Sequence, residues 1–250
     1  SRIARTMIHP DKVKRHRRWL LINPPNRQRV VRDCYCSDIV KAGYYWHPMD
    51  LLVQAALLVP HAEVVVLDAI ASGMSSDRCL EAAERAAPDG VLCLVGNIVH
   101  DDDLLFCRSL HQRLPNTLLV GSGDLFQEDP VRALSHFPPF DAALLDFTSQ
   151  EIVRLAQGTP PGHDMVFREK GSVEQAPLSR ARRFSYPPPP DGLFKTGPYR
   201  LPFYGGAPFY SILASYGCPR GSRKLSDSLM IGHKRDGGRK RRIFFLAFIR

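Results

Sequence analysis

Short apolar runs alternate with stretches of helical periodicity through the first 158 residues of the chain. Five runs of four to six residues, each followed directly by asparagine, aspartate or glycine, have the pattern of strands buried on both faces of a sheet. This alternation predicts an α/β fold with a doubly wound, Rossmann-like or flavodoxin-like, five-stranded parallel sheet. The strands are predicted at 19–22, 63–67, 90–95, 117–120 and 142–145, and the helices at 48–58, 76–87, 101–114, 130–136 and 149–156.

The regular alternation ends after Gly158. Two β-rich segments, 165–168 and 172–173, flank a Glu-Lys-Gly turn and predict a hairpin. The segment that follows is rich in proline and predicts an extended linker, and a further strand is predicted at 209–214. We therefore expect four parts: a basic tail at 1–17, the sheet domain at 18–158, the hairpin and linker at 159–208, and a last part at 209–250.

The net charge of +9 lies in the two ends of the chain. Residues 1–18 and 232–250 each carry seven Lys or Arg and one Asp, which is +6 at each end, so residues 19–231 sum to −3. A mildly acidic folded part argues against nucleic acid as its partner, and non-specific RNA or DNA binding through the basic tails is the alternative. No apolar run is long enough to span a membrane, and the first ten residues lack the apolar core of a signal peptide. Six cysteines in a chain of this length do not suggest a disulfide scaffold, so we expect a cytoplasmic protein.

Small or hydrogen-bonding residues follow each of the five predicted strands. In an open doubly wound sheet, ligands bind beyond the carboxyl ends of the strands, so these residues form the predicted binding edge. Glycines there would let a bulky ligand approach the backbone, although glycines also simply make tight turns between strand and helix. The predicted cofactor-binding residues are Asn23, Pro24, Pro25, Asn26, Asp68, Gly96, Asn97, Gly121, Ser122, Gly123 and Asp124.

Several common ligand motifs do not occur in the sequence. There is no G-x-x-x-x-G-K-[ST] motif, and Gly121-Ser-Gly123 lacks the third glycine of G-x-G-x-x-G. No G-x-S-x-G nucleophile elbow occurs either. The sequence therefore argues against a P-loop nucleotide site, a dinucleotide site and an α/β-hydrolase site.

A loop of roughly 20 residues, rich in arginine, cysteine and aromatic residues, separates the first strand from the first helix, and so long a loop is more often functional than idle. Cys34 and Cys36 could join His47 in a metal site, but a closed zinc site takes four ligands and the sequence offers no fourth. Free thiols, and an ordinary histidine at a helix start, are the alternatives. The aromatic run at 44–46 could stack on a flat ligand or cover the edge of the sheet.

Three segments of the sheet domain, followed by the hairpin, the linker and a Gly-Cys-Pro turn, occur in the order typical of one protein family. The segments are Leu20-Leu-Ile-Asn-Pro-Pro25, His47-Pro-Met-Asp-Leu-Leu52 and Val64-Val-Val-Leu-Asp-Ala69, and the turn lies in Ser215-Tyr-Gly-Cys-Pro219. Over residues 18–221 the chain resembles the cobalamin-binding radical-SAM proteins. The resemblance implies a Rossmann-like cobalamin domain, a linker and a radical-SAM barrel. It also implies three cofactors, namely cobalamin, a [4Fe–4S] cluster and S-adenosylmethionine, and radical chemistry that is often methyl transfer.

The sequence departs from that family in its cluster motif, C-x-x-x-C-x-x-C, in which three thiolates hold the [4Fe–4S] cluster. Cys218 takes the first place and is the predicted metal ligand, but Ser222 and Leu225 stand at the other two. The D-x-H-x-x-G loop of many cobalamin domains is also missing, so we assign no cobalt-ligating histidine. The tail ends in an apolar run at 243–249 that has neither helical nor strand periodicity, and a shifted reading frame or a truncated gene is our hypothesis for it.

From these observations we expect the cobalamin-binding module of a radical-SAM enzyme, truncated before its catalytic barrel and inactive by itself. The alternative is a doubly wound module that binds a small ligand or a partner without cobalamin. A third hypothesis, an enzyme that uses Cys218 as a nucleophile, lacks an identifiable base.

Overall fold

The computed structural model describes residues 17–34, 37–41, 45–169, 171–179, 185–188, 192–195, 197–202, 205–213 and 245–249. Its strands are β1 (Arg18–Asn23), β2 (Val30–Arg32), β3 (Ser37–Ile39), β4 (Glu63–Asp68), β5 (Gly90–Leu94), β6 (Leu118–Ser122), β7 (Ala142–Leu144), β8 (Met165–Glu169), β9 (Ser172–Gln175), β10 (Arg200–Leu201), β11 (Ala207–Leu213) and β12 (Phe245–Ile249). Its α-helices are α1 (Met49–Leu58), α2 (Ser76–Ala86), α3 (His100–Arg113), α4 (Pro130–His136) and α5 (Glu151–Ala156).

Five parallel strands form the centre of the main sheet, in the order β4-β1-β5-β6-β7. Numbered along the chain, these are the second, first, third, fourth and fifth parallel strands, which is the flavodoxin-like order. The predicted doubly wound α/β fold is therefore confirmed. The strand order reverses between β1 and β5, so the carboxyl ends of these two strands mark the crevice where such folds bind ligands.

Apolar side chains of the strands enter two separate cores, one on each face of the sheet. Trp19 and Leu21 pack on one face with α1 and α5, whereas Leu20 and Ile22 pack on the other with α2, α3 and α4. Because both faces are covered by helices, every position of β1 from 19 to 22 is buried. This double burial explains why the strands have uninterrupted apolar sequences instead of an alternating pattern.

The predicted hairpin is present and extends the main sheet. Strand β8 pairs antiparallel with β7, with Val166 opposite Ala143, and β9 pairs antiparallel with β8. The main sheet of the described residues therefore has seven strands, of which the last two are antiparallel additions to its edge. The division into 18–158 and 159–208 stays a prediction, but the hairpin itself is continuous with the sheet.

The long loop after β1 contains a small hairpin of its own, formed by β2 and β3 with Val31 opposite Asp38. The sequence did not indicate these strands, because each has only three residues and β3 is partly exposed. We refer to β2, β3 and their connection as the loop hairpin. It lies over the carboxyl ends of β5 and β6, as the contacts below show.

Part of the proline-rich segment packs against the sheet domain instead of running as an extended linker. Phe194, Tyr199 and Leu201 are almost fully buried and belong to the same core as α1. We call residues 192–195 and 197–202 the strap. Strand β11 follows the strap and pairs antiparallel with β12, so the apolar run near the end of the chain has strand structure that its sequence pattern did not predict. No helix in the described ranges has both the length and the apolar character needed to cross a bilayer.

Candidate functional site at the carboxyl edge of the sheet

The strand order brings most of the predicted cofactor-binding residues to one edge of the sheet. Asn23 and Asp68 are register partners at the ends of β1 and β4, and Gly96 comes just after the neighbouring strand β5. Ser122 ends β6, and Asp124 lies two residues beyond it. Local sequence was sufficient to identify this edge, because the carboxyl ends of parallel strands necessarily point the same way.

Asp68, at the end of β4, accepts hydrogen bonds on both carboxylate oxygens. Its Oδ1 accepts hydrogen bonds from Asn23 Nδ2 at 2.9 Å and from the backbone N–H of Ala71 at 3.0 Å, and its Oδ2 accepts one from the hydroxyl of Tyr199. Burial raises the pKa of Asp68, while the bonds from Ala71, Tyr199 and Asn23 act against that rise. Burial, followed by the adjacent Asp68, raises the pKa of Tyr199, so the phenol keeps its proton and remains the donor.

A buried ion pair fastens the loop hairpin to the edge. Arg32 donates to both carboxylate oxygens of Asp103, from Nε at 2.7 Å and from Nη2 at 2.5 Å, and both side chains are fully buried. Its Nη1 also donates to Asn23 Oδ1 at 2.9 Å and to the carbonyl oxygen of Pro24 at 3.0 Å. The backbone N–H of Gly96 donates to the same carboxylate at 2.9 Å. Arg32 therefore links the ends of β1 and β5 to the first turn of α3 across the switch point.

Neither member of this ion pair was predicted as a site residue. Three consecutive acids occupy the first turn of α3, and the helix dipole alone accounts for acids at that position. Burial raises the pKa of Asp103, and its bonds to Arg32 oppose the rise. The sequence contained no signal that distinguishes the buried acid from its exposed neighbours, since the partner lies 71 positions away.

Over β5 and β6 the edge is closed by Ser37 of the loop hairpin. Asp124 accepts from the backbone N–H of Ser37 at 2.7 Å, from its Oγ at 2.8 Å, and from the backbone N–H of Asn97 at 2.8 Å. Ser37 Oγ in turn accepts from the backbone N–H of Ile98 at 3.1 Å. The hydrogen-bonding groups that were predicted to meet a ligand here are used to hold the protein's own loop.

The three predicted glycines are close to protein atoms. A Cβ at Gly121 would lie 2.6 Å from the ring of Phe126, and one at Gly96 would lie 2.9 Å from Ser37 Cβ. Gly123 has φ +134°, and a Cβ there would lie 2.1 Å from the carbonyl oxygen of Val95. A bulky residue at Gly121 would therefore disturb packing against Phe126, so such a variant is not a clean test of a ligand surface.

Over β1 and β4 the edge borders a cleft of about 410 Å³. Asn23 and Asp68 are the predicted site residues that line it, and its other walls include Tyr45, Trp46 and Ile70. Its volume is within the range of pockets that hold small organic ligands, which is roughly 300–1,000 Å³. Pro24, Pro25, Asn26 and the predicted residues after β5 and β6 lie outside its lining.

His47 also lines this cleft and is surrounded by aromatic rings. Its ring stacks on Tyr199 with 3.8 Å between centroids, and the edges of Phe194 and Phe209 approach at 5.7 and 5.6 Å. Its Nδ1 lies 3.1 Å from Ser211 Oγ on β11. Burial lowers the pKa of His47 to about 4, so the imidazole is neutral near pH 7.

The hypothesis of a metal site in the long loop gains no support from the described residues. They contain no group of three or more His, Cys, Asp or Glu side chains arranged to hold a metal ion. Cys34 is a buried thiol whose Sγ donates to the carbonyl oxygen of Leu145 at 3.4 Å and accepts from Gln127 Nε2 at 3.0 Å. Cys36 and Cys218 lie outside the described residues.

Asp50, in the first turn of α1, is buried beneath the same edge. It is fully inaccessible to solvent, and neither carboxylate oxygen has a partner at ordinary hydrogen-bond geometry among the described residues. Burial first, then the nearby Asp33 and Asp146, raise the pKa of Asp50, and a weak interaction with the Cys34 backbone offsets this only in part. Burying a carboxyl group without such partners costs stability.

No protein-family model matches the chain, and no curated protein matches it. Among solved structures, the cobalamin-dependent S-adenosylmethionine radical enzyme OxsB, solved with aqua-cobalamin and S-adenosylmethionine bound, matches at 10% identity and a TM-score of 0.48, over 67% of this chain and 23% of its own. The radical S-adenosylmethionine methyltransferase TsrM from Kitasatospora setae, solved with cobalamin and a [4Fe-4S] cluster bound, matches at 17% identity and a TM-score of 0.48, over 69% of this chain and 31% of its own. The chain thus spans about a quarter to a third of the length of these structures.

Proposed function

We propose that this chain is the cobalamin-binding module of a protein of the radical-SAM type. Support comes from the three sequence segments that carry the resemblance, because the fold brings all three to the carboxyl edge. They contribute the end of β1, the start of α1 and the end of β4, which together border the cleft. The edge also contains the switch point, where doubly wound folds bind their ligands.

One observation supports this proposal most directly: large apolar side chains are exposed in the segments over the carboxyl edge. Trp46 lines the cleft, Ile39 ends β3 between the lining residues Asp38 and Val40, and Ile98 follows β5, and they are 37%, 38% and 51% exposed. Exposed apolar groups at a ligand-binding edge are a common mark of a binding surface. A corrin ring is broad and largely apolar, so a surface of this kind suits it.

The dimensions of the cleft decide how cobalamin would be held. A cavity of about 410 Å³ suits a ligand of ordinary drug size, and cobalamin is considerably larger. We therefore place one part of the cofactor in the cleft and the macrocycle over the rim formed by Ile39, Trp46 and Ile98. The loop hairpin, tied down by Arg32 and Ser37, would provide a firm floor for the ring.

When bound, cobalamin supplies a cobalt centre that can carry a methyl group. The part of this chain is to bind and orient the cofactor and to exclude water from one of its faces. His47 is neutral and enclosed by aromatic rings, so we do not assign it to cobalt. The [4Fe–4S] cluster, S-adenosylmethionine and any catalytic activity belong to the resemblance, and Cys218, the predicted cluster ligand, lies outside the described part of the chain.

The test is an anaerobic titration of the purified chain with hydroxocobalamin, followed by visible absorption and by co-elution in gel filtration. Ile98→Glu places a charge on the proposed rim, and Val59→Glu is the matched control, since Val59 is 38% exposed at the far end of α1. We expect Ile98→Glu to weaken binding about tenfold, because a charged side chain then replaces an apolar one under the macrocycle. Val59→Glu should leave the affinity unchanged.

A folded protein that takes up no corrinoid would overturn the proposal. Equal losses of cobalamin affinity in Ile98→Glu and Val59→Glu would contradict the role of the rim as the surface that contacts the macrocycle. If no corrinoid is taken up, the small-ligand module without cobalamin becomes the better account, and the volume of the cleft is the observation that favours it.

A further inference from the structure

Asp68 occupies a position with a known use in folds of this kind. It ends the second parallel strand, next to the switch strand, and an acid at that place in nucleotide-binding doubly wound folds accepts a hydrogen bond from a ribose hydroxyl. Asp68 also lines the cleft. Its position and its access to a pocket of suitable size are two independent reasons to consider it a ligand-binding acid.

The three partners of Asp68 fall into two kinds. Asn23 and Ala71 belong to the sheet domain, and both donate to Oδ1, so they set the orientation of the carboxylate. The third partner, Tyr199, comes from the strap, 131 positions along the chain, and donates its hydroxyl to Oδ2. An O–H group is also what a ribose would offer to that oxygen.

We propose that the cleft binds a ribose-bearing group through Asp68 Oδ2, and that the hydroxyl of Tyr199 occupies this oxygen until the ligand replaces it. The proposal rests on the proposed function only in part, because the ribose has two sources. It belongs either to the nucleotide tail of cobalamin or to a free nucleoside. The chemistry at Asp68 is the same for both.

The walls of the cleft suit the rest of such a ligand. Tyr45 and Trp46 provide aromatic rings, and Ile70 provides an apolar surface just beyond Asp68. Trp46 is 37% exposed, so part of its ring is open to a planar base. A nucleoside is also of the size that a cleft of about 410 Å³ accommodates.

The variant Tyr199→Phe tests the contribution of the hydroxyl separately from that of the ring. The ring of Tyr199 stacks on His47, and phenylalanine keeps this contact while it removes the donor to Asp68. Without the phenol, Asp68 Oδ2 loses the Tyr199 donor in the free protein, whereas a bound ribose supplies a donor in its place. The ligand no longer has to displace an existing bond, so it binds more tightly.

The experiment titrates the full chain with three probes: cobalamin, cobinamide, which is a corrinoid without the nucleotide tail, and adenosine. Calorimetry gives the affinities, and circular dichroism shows that each variant is folded. We expect Tyr199→Phe to tighten cobalamin and adenosine binding about fivefold, and Asp68→Asn to weaken both about tenfold, as for hydrogen bonds to a charged group. Cobinamide affinity stays constant in both variants. Tyr186→Phe, on the same proline-rich segment, is the control and changes none of the three.

Hydrogen exchange provides a second readout that does not depend on affinity. Release of the Tyr199 hydroxyl loosens the strap, so the backbone amides of residues 197–202 exchange faster when adenosine or cobalamin is bound. Unchanged or slower exchange in this segment at saturating ligand would contradict the replacement of Tyr199.

The three probes separate failure of this inference from failure of the proposed function. If cobalamin and cobinamide bind equally well and Tyr199→Phe affects neither, the corrinoid module stands and the ribose site is wrong. If adenosine binds with the expected variant effects but no corrinoid does, the ribose site stands and the corrinoid module is wrong. Weaker adenosine binding by Tyr199→Phe, or no binding of any probe, overturns the ribose site.

Discussion

Over β5 and β6 the carboxyl edge is closed by the protein's own loop, whereas over β1 and β4 it borders a cleft. In the closed half, Asp124 is bonded to Ser37 and Asn97, both of which belong to loops over the same edge. In the cleft half, Asp68 is bonded to its neighbour Asn23 and to Tyr199 of the strap. The same kind of residue, an acid at or just after the end of a strand, holds the loop hairpin in one half and accepts a hydrogen bond from the strap in the other.

This difference shows that a polar residue at the end of a strand is not by itself a ligand residue. What matters is whether the residue also lines a cleft. Asp124 and Asp103 hold the loop hairpin and lie outside the lining of the cleft, so we expect their variants to change stability. Asp68 lines the cleft, so we expect its variants to change affinity.

The largest expected effect comes from the ion pair between the two halves. Arg32→Ala leaves the buried carboxylate of Asp103 uncompensated, so we expect the free energy of unfolding to fall by about 3–5 kcal/mol. Urea denaturation at pH 7 measures it. Arg113→Ala is the control, since its pair with Glu84 is partly exposed and should contribute only about 0–1 kcal/mol. A loss below about 1 kcal/mol for Arg32→Ala would mean that the pair does not hold the loop hairpin.

The next effect concerns Asp50 and the pH dependence of stability. Its pKa is raised in the folded state, so between the unfolded and folded pKa values the native protein holds a proton that the unfolded chain has released. Stability therefore falls as pH rises through this window, by at most about 1.4 kcal/mol per pH unit. Asp50→Asn removes this contribution, so the variant should gain stability relative to the parent as the pH rises above about 4, the ordinary pKa of an aspartate.

The contribution of Asp50 is separated from those of other acids by comparing how the stability of the parent and of Asp50→Asn depends on pH. Asp68, Asp103 and Asp164 also have raised pKa values, and they lower the stability of both proteins in the same direction. Urea midpoints for the parent and Asp50→Asn, measured from about pH 4.5 to about pH 8, give the difference. Parallel curves for the two proteins would show that Asp50 is not buried as a neutral acid.

The smallest effect tests the closed half directly. Ser37→Ala removes the hydroxyl that bonds Asp124 and accepts from the Ile98 N–H, so we expect the free energy of unfolding to fall by about 1 kcal/mol. Adenosine affinity should stay unchanged, in contrast to Tyr199→Phe. A shift in affinity with Ser37→Ala would mean that the two halves of the edge do not act separately.

Sequence alone was sufficient for the five parallel strands, the helices between them and the polar residues that gather at the carboxyl edge. Burial on both faces requires continuous apolar runs in the strands, and helices packed on the sheet repeat their apolar positions about every 3.6 residues. Each element can therefore be recognised from its own stretch of sequence. The residues at the strand ends follow from chain direction. For this reason Asn23 and Asp68 could be placed together at this edge before any contact was known, and their role in binding a ligand stays a prediction.

Tertiary structure decided which of these residues face a cleft and which are already bonded to the protein. The bonds between Arg32 and Asp103, Asp68 and Tyr199, and His47 and Ser211 span 71, 131 and 164 positions. Such pairs leave no local period or motif, because each side chain is ordinary in its own segment. Only the folded chain brings these side chains together. Only the tertiary structure therefore shows that Asp124 holds a loop and that Asp68 lines a cleft.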